Sequence, residues 1–454
     1  MTTPITRILG EFVSALRYEQ IPADALPVIH IGFTDCIGVM IAGRDEPPPQ
    51  LLKSVLAPAP GAATLLFGQG TASAPDAAWI NGAAAHALDY DDVALRGHPS
   101  TALVPAILAE AEALGATGLQ MITAYAAGYE VWAELVSREI DQHHTKGWHP
   151  TGIFGAIGAA AACASLRGLN AEKTSHAIGI GASQSAGLMA NFGTMTKPFH
   201  AGRAAHAGVI AARLAAAGFT ASPDAIEHTQ GFLAAVSPVG RFDVETPLQA
   251  AWQWRMPTSR LSVKKYPMCF ATHRALDGIL DLLKETPIDP RSVRNVTVSI
   301  SRRNTKVLRN HSPQTGLEAK FSMEFAMASA LIAGRATLAE LSDGFVQRAE
   351  VQDMMRRVSI EPDDRYDPNP NANGYAIYDQ VTIETEDGRR LESAQVNLIR
   401  GGPDLPLSRD ELRTKFDGCL QAGGLAASAV PLFDALMSLE NCPDARRLSA
   451  LAAR

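Results

Sequence analysis

Ile5, Ile8, Leu9, Phe12, Val13 and Leu16 recur at helical spacing, with Arg7, Glu11 and Arg17 between them. That spacing predicts an amphipathic helix over 4–17 and not a signal peptide. The same period, carried by Ala-rich stretches broken at Gly and Pro, predicts helices over 24–43, 75–88, 101–114, 117–140, 152–167, 171–187, 200–217 and 246–254. Ala and Gly dominate 152–167 and 200–217, so these two helices can approach neighbours closely and are expected at the centre of a bundle. The Ala/Gly-rich uncharged run Gly152 to Leu166 is shorter than the ~20 residues a membrane span needs.

Near residue 262 the period shortens to two. Val296, Val298 and Ile300 alternate in RNVTVSI, and strands are also expected at 358–360, 376–384 and 391–399. Glu386-Asp387-Gly388 is a turn signal joining the last two into a hairpin. Helices are interleaved near 270–285 and 318–334, and helical patterning returns from about Arg409. The fold expected is therefore mainly α with an α+β insertion. A large all-helical domain is built from residues 1–261 and 398–454, and a smaller α+β lid from 262–397.

Composition narrows the function classes. A chain of 454 residues with net charge −7 offers no broad basic surface for nucleic acid, although a small anionic substrate needs only a local positive pocket. Cys36, Cys163, Cys269, Cys419 and Cys442 are odd in number and far apart. That usage argues against a disulfide framework, a tetrahedral zinc site or an iron–sulfur cluster, and it suits the cytoplasm.

Candidate chemistry gathers in short Gly/Pro-marked segments between apolar helices. The first, NGAAAHALDYDDVALRGHPS, ends an Ala-rich helix at Asp89, Asp91 and Asp92 and opens the next at His98-Pro99-Ser100. Asp89 and His98 are candidates to line a pocket, His98 as an acid or base. On spacing alone Asp91 and Asp92 read as solvated loop acids and Ser100 as a helix cap; three carboxylates in a loop are weak evidence for a divalent cation. The second, KGWHPTGIFG, places His149 before another proline and helix start, with Thr151 a candidate cap. His143 and His144 read as exposed, and a zinc site with His149 is disfavoured because adjacent histidines rarely face one metal.

The third, ANFGTMTKPFHAGRAAHAG, brings Lys197, His200 and Arg203 together as a positive patch near a helix N-terminus, while His206 reads as a packed core histidine. GIGASQSAG just upstream lacks the third glycine of GxGxxG and the GK[ST] ending of a phosphate loop, and no GxSxG elbow is present. The fourth, SVKKYPMCFATH, offers Lys264 or Lys265 as a base or carboxylate anchor, with the other solvated. Cys269 reads more readily as a small buried residue than as a nucleophile paired with His273.

Taken in order, HALDYDD with GHPS, WHPTG, GTMTKPFHAGRAA, KKYP with ATH, and AKFSMEF (Ala319 to Phe325) resemble the MmgE/PrpD family over nearly the whole chain. The family includes 2-methylcitrate dehydratase, cis-aconitate decarboxylase and iminodisuccinate epimerase. The resemblance implies a homodimer with no metal or organic cofactor, and an active site between a helical domain and a lid. By motif it implies a pocket of Asp89, His98, His149, Lys197, His200 and Lys264. His98, His149, Lys264 and Asp89 would serve catalysis, and Lys197, His200 and Arg203 would bind substrate. Val93, Cys269 and Phe325 stand where the decarboxylase has threonine, histidine and tyrosine, which makes cis-aconitate decarboxylation the less favoured outcome. The expected activity is a hydro-lyase of the 2-methylcitrate dehydratase type. It would act on a small di- or tricarboxylate through α-proton abstraction and an enediolate-like intermediate. A dicarboxylate epimerase and a non-catalytic polycarboxylate binder are the alternatives, and neither nucleic acid nor a membrane is an expected partner.

Overall fold

A computed structural model describes residues 3–141, 143–248, 252–366 and 376–452. The chain is mainly α with an α+β portion. Its contacts divide it into two compact units, residues 1–262 with 413–454 and residues 263–412. Residues 398–412, assigned from sequence to the helical part, fall in the second unit, and the boundary lies inside the helix Arg409–Ala422.

The first unit is a helical bundle. Its helices are α1 (Ile5–Ala15), α2 (Leu26–Ala42), α3 (Pro47–Leu56), α4 (Ala74–Ala87), α5 (Pro99–Leu114), α6 (Gly118–Arg138), α7 (Pro150–Leu166), α8 (Ala171–Ser183) and α9 (Thr196–Ala216). A two-residue antiparallel ladder, β1 (Ala63–Thr64) with β2 (Thr71–Ala72), lies between α3 and α4. α7 is buried along nearly its whole length and packs on α5, α6, α8 and α9, which places the Ala/Gly-rich 152–167 stretch at the centre. α4 and α9 cross where Gly82 meets Gly202; a Cβ on Gly202 would lie 2.2 Å from the Trp79 carbonyl oxygen. Only glycine permits that approach, and it brings the C-terminal end of α4 beside the N-terminal turns of α9. The tail helix Ala429–Leu436 packs on α2.

α3, which opens on Pro47-Pro48-Pro49, has no counterpart among the elements expected from sequence. The prolines occupy the first turn, where no helical N–H is required. The helix expected over 246–254 falls partly on residues 249–251, outside the described residues. The residues described on its C-terminal side become helical only at Met256–Ser259.

The second unit holds a four-stranded sheet in the order β4-β3-β5-β6, with β3 (Val293–Ser301), β4 (Val358–Asp363), β5 (Gln380–Thr385) and β6 (Arg390–Glu392). β3 runs parallel to β4 and antiparallel to β5, with Val298 opposite Ile360 and Val381. Val296, Val298, Ile300, Val381 and Ile383 are buried on one face with Leu276 and Ile279 of the helix His273–Glu285 and Met327 of the helix Met323–Ala333. The hairpin β5–β6 turns through Gly388 at φ +83°, a conformation glycine adopts freely. The expected strand at 391–399 is shorter than its alternation suggested and ends at Glu392.

Candidate active site

Two histidines hold equivalent places in the first unit. His98 is the N-cap of α5 and His149 the N-cap of α7, each followed by a proline in the first turn. The His98 N–H donates to Thr151 Oγ1 at 3.1 Å, tying the two helix starts together. Thr151 therefore does not cap its own helix. Ser100 is likewise no cap; its hydroxyl hydrogen-bonds the Tyr125 hydroxyl at 2.8 Å.

The loop between α4 and α5 is shaped by strained backbone. Asp89 (φ +52°), Leu95 (+49°) and Arg96 (+62°) are all left-handed, a region that costs a non-glycine residue roughly 1–2 kcal/mol. Leu95 and Arg96 form a tight turn closed by two Ala94–Gly97 backbone hydrogen bonds. Trp132 Nε1 donates to the Leu95 carbonyl at 3.2 Å, and Arg96 reaches Glu139 at the same distance. The left-handed step at Asp89 folds the chain back so that Asp91 meets His86 of α4. Lys415, on the helix Arg409–Ala422, braces the loop: its ammonium donates to the Tyr90 carbonyl at 2.8 Å and pairs with buried Asp35 at 2.5 Å.

Asp91 and Asp92 are both fully buried, which overturns their reading as solvated loop acids. The reason is tertiary, since Asp91 contacts two imidazoles: Oδ1 lies 2.9 Å from His86 Nδ1 and Oδ2 lies 2.6 Å from His98 Nδ1. His98 Nδ1 is also 3.0 Å from the Asp92 carbonyl and hydrogen-bonds it, so the Asp91 carboxylate lies beside that N–H. A carbonyl can only accept, so His98 carries a proton on Nδ1, and in the neutral ring Nε2 is left with its lone pair. Burial raises the Asp91 pKa, but the charges and hydrogen bonds of His86 and His98 outweigh it and hold the carboxyl well below its ordinary value. Burial lowers His86 to about 4 despite Asp91. Asp92 goes the other way, pushed up by burial and then by Asp35.

On α9, the Lys197 ammonium pairs with Asp89 Oδ1 at 2.5 Å and lies 5.3 Å from the centre of the Phe192 ring. One turn on, His200 Nδ1 sits 3.1 Å from His149 Nδ1. The His149 ring lies 6.1 Å from that of His86, and the rings of His86 and His98 are 4.4 Å apart. Burial pushes His149 far below its ordinary pKa, with His86, Lys197, His98 and His200 adding to the effect. Burial and then Lys197 lower His200. Asp89, His98, His149, Lys197 and His200 thus share one cluster in the first unit, and His86 and Asp91 complete it.

The other expected residues are placed differently. The Arg203 guanidinium is engaged by His206 Nδ1 at 3.0 Å, by Gln184 and by the face of Trp79. His206 is half-buried, not a core residue. Lys264 belongs to the second unit, where it is buried with its ammonium 5.5 Å from the Phe270 ring centre. Cys269 is half-buried, and Phe325 lies in that unit's core. His143, expected at the surface, is buried against Glu139, with Nδ1 2.9 Å from Oε2. An apolar groove of about 350 Å³ beside the start of α9 includes Leu52, Met195 and Phe199 in its lining and has no titratable group.

His86, Asp89, Asp91 and His98 bring ligand-capable atoms within 4.8 Å of one another. Asp91 already meets two imidazoles and Asp89 meets the Lys197 ammonium, so a cation entering there would compete with partners in place. The cluster reads better as acid–base machinery than as a metal centre. His86 was missed in the sequence reading; the available signal was a histidine in the last turn of a helix with an aspartate five residues on.

The cluster combines buried imidazoles, a carboxylate behind them and an ammonium alongside. The MmgE/PrpD N-terminal domain model matches residues 7–245 and the MmgE/PrpD C-terminal domain model matches 266–428, so the chain belongs to the MmgE/PrpD family. Its relatives are enzymes. It is 28% identical to human cis-aconitate decarboxylase over 75% of this chain and 71% of that protein. It is 26% identical to the mouse cis-aconitate decarboxylase over 82% and 78%. Against the cis-aconitate decarboxylase of Aspergillus terreus the identity is 25% over 91% and 88%. Among the described residues no single helix is long and apolar enough to cross a membrane.

Proposed function

We propose that this protein is a hydro-lyase of the 2-methylcitrate dehydratase type, acting on a small di- or tricarboxylate without metal or organic cofactor. The observation that carries the reading is His98, whose Nδ1–H is held by the Asp92 carbonyl while the Asp91 carboxylate lies 2.6 Å away. Its bare Nε2 is a general base, and Asp91 stabilises the imidazolium that forms. His98 takes the proton next to a substrate carboxylate, and the electron pair passes into an enediolate. Lys197 stabilises that charge. His149 protonates the hydroxyl that leaves, so the products are the unsaturated acid and water. Asp89 orients Lys197 through their 2.5 Å pair. Lys264 is assigned to a substrate carboxylate through the KKYP motif, and Arg203 to a supporting place on α9. A cytoplasmic homodimer completes the proposal.

Decarboxylation is the second reading, favoured by the names of the relatives. Val93 and Phe325 weigh against it, because both supply apolar side chains at motif positions where the decarboxylase has hydroxyls. The test is incubation in deuterated water with 2-methylcitrate, citrate, cis-aconitate, tartrate and iminodisuccinate, followed by NMR. Deuterium entering next to a carboxylate together with loss of water supports the hydro-lyase. Carbon dioxide release from cis-aconitate replaces it with the second reading, and inversion without loss of water makes the protein an epimerase. Binding with no exchange on any of the five makes it a binder.

A further inference from the structure

His149 and His200 are read by motif as separate groups, yet their Nδ1 atoms face each other at 3.1 Å. Two bare nitrogens, or two N–H groups, at that distance would repel, so one ring donates and the other accepts. The contact is built into the backbone. The His149 N–H donates to the Gly187 carbonyl at 2.9 Å. Gly187 has φ +136°, and a Cβ there would come 3.2 Å from His200 Cγ and 3.4 Å from His149 Cβ. Phe192 meets the His149 ring edge-on at 4.9 Å, shielding it from water. His86, His98 and Lys197 are the other titratable groups that bear on His149, and Lys197 bears on His200.

A neutral imidazole cannot simply give up its Nε2 proton, because that leaves an imidazolate. It can do so when Nδ1 receives a proton in the same step. We infer that His200 is a proton-relay residue that recharges His149 through the Nδ1–Nδ1 contact. His149 Nε2–H passes its proton to the departing hydroxyl, whose C–O bond electrons leave with the oxygen, and water is formed. The His200 Nδ1 proton moves to His149 Nδ1, and His200 Nε2 takes a proton from solvent. Both rings end neutral with their tautomers exchanged, and the proton gained at His98 returns to solvent. The relay suits this environment because burial and Lys197 disfavour an imidazolium at either ring. It resets between turnovers when His149 Nε2 takes a proton from water, the Nδ1 proton moves back from His149 to His200, and His200 Nε2 gives its proton to water. The inference rests on the hydro-lyase reading and gives His200 a role beyond holding a carboxylate.

The test is His200→Asn with 2-methylcitrate and citrate in deuterated water. The asparagine amide falls near the Nδ1 position and can hydrogen-bond His149, but it cannot pass a proton on. At saturating substrate, loss of water should fall about 10²-fold or more relative to α-proton exchange, because the proton taken from carbon goes to His98 and does not pass through the relay. If exchange and elimination fall together, His200 only positions its neighbours and the relay is wrong. It is equally wrong if both stay at the wild-type rate. Absence of exchange in the wild-type enzyme counts against the hydro-lyase reading instead. A second measurement needs neither substrate nor a folded variant: ¹⁵N NMR of the wild-type imidazoles at neutral pH. One protonated and one bare Nδ1 across the pair supports the relay; two of either kind, or a cationic ring, overturns it.

Discussion

Replacing Asp91 with asparagine changes one oxygen to an amide and leaves the shape almost untouched. In the native protein Asp91 faces His98 Nδ1 at 2.6 Å and His86 Nδ1 at 2.9 Å. His98 is an N–H donor because the Asp92 carbonyl requires it. The amide therefore presents its oxygen to His98 and its NH2 to His86, which must then move its own proton to Nε2. That atom is buried without a hydrogen-bond partner, so the switch costs about 1–3 kcal/mol. The alternative orientation sets NH2 against the His98 N–H. In either case the negative charge beside the forming imidazolium is gone. An opposite charge this close typically favours an ionised neighbour by about 1.4–4 kcal/mol. If the imidazolium is fully formed in the transition state, Asp91→Asn lowers kcat about 10- to 10³-fold.

The assay is α-proton exchange and turnover as a function of pH, on whichever of the five acids the wild type accepts. The acid limb of kcat/KM should move to lower pH, because a proton on the base has lost its counter-charge. Circular dichroism should show an intact fold. A variant with kcat within about twofold of wild type, or one with lowered kcat and an unmoved acid limb, would refute the coupling of Asp91 to the base.

Three further outcomes follow from the same geometry. His86 has its folded pKa depressed to about 4, so its contribution to stability is complete above its unfolded value of 6.5 and is lost as pH falls toward 4, about 3 kcal/mol in all; urea unfolding of wild type and His86→Asn at pH 7 and pH 4.5 should differ in pH dependence by most of that amount, and equal dependence refutes it. Lys197→Ala should cut turnover about 10²-fold or more by removing the ammonium paired with Asp89, and near-normal turnover would take Lys197 out of the mechanism. Strong chelators should leave activity unchanged, whereas stoichiometric metal by elemental analysis, with activity lost on its removal, would make His86, Asp89, Asp91 and His98 a metal site after all.

What was legible in the chain is what local rules govern. The 3.6-residue period located α1, α2 and α4 to α9 to within a few residues, and the alternation of Val296, Val298 and Ile300 located β3. His98 and His149 were visible because a histidine before a proline at a helix start is a local signature, and the structure places both as N-caps. Lys197 and His200 were visible because they flank Pro198. Asp91 looked like any loop acid, since nothing within the loop says that the left-handed Asp89 will turn it under α4. Lys415 offered no signal at all: its partners Asp35 and Tyr90 lie hundreds of positions away, and burial of such a pair is a property of packing. α3 was not among the expected elements; its three prolines sit in the first turn, where proline is tolerated, although proline breaks a helix interior.

The proposed division of labour among the histidines follows from what stands behind each ring. A base that must accept a proton needs a way to carry positive charge, and only His98 and His86 have a carboxylate against Nδ1 within the cluster. His86 is enclosed, whereas His98 keeps some exposure at the start of α5. His149 has another imidazole behind it and an ammonium in its field, so it is poor at holding charge and suited to passing a proton through. An elimination needs both kinds of group, one that stores the proton taken from carbon and one that replaces the proton given to oxygen. A decarboxylase needs less, because loss of carbon dioxide itself generates the carbanion and a single donor suffices to quench it. The same histidines belong to the motif set shared with the decarboxylase, so the differently backed imidazoles fit an elimination and the deuterium-exchange assay decides between the two readings. The difference in backing also explains why Asp91→Asn and His200→Asn should fail differently, the first in taking the proton from carbon and the second in giving one to oxygen.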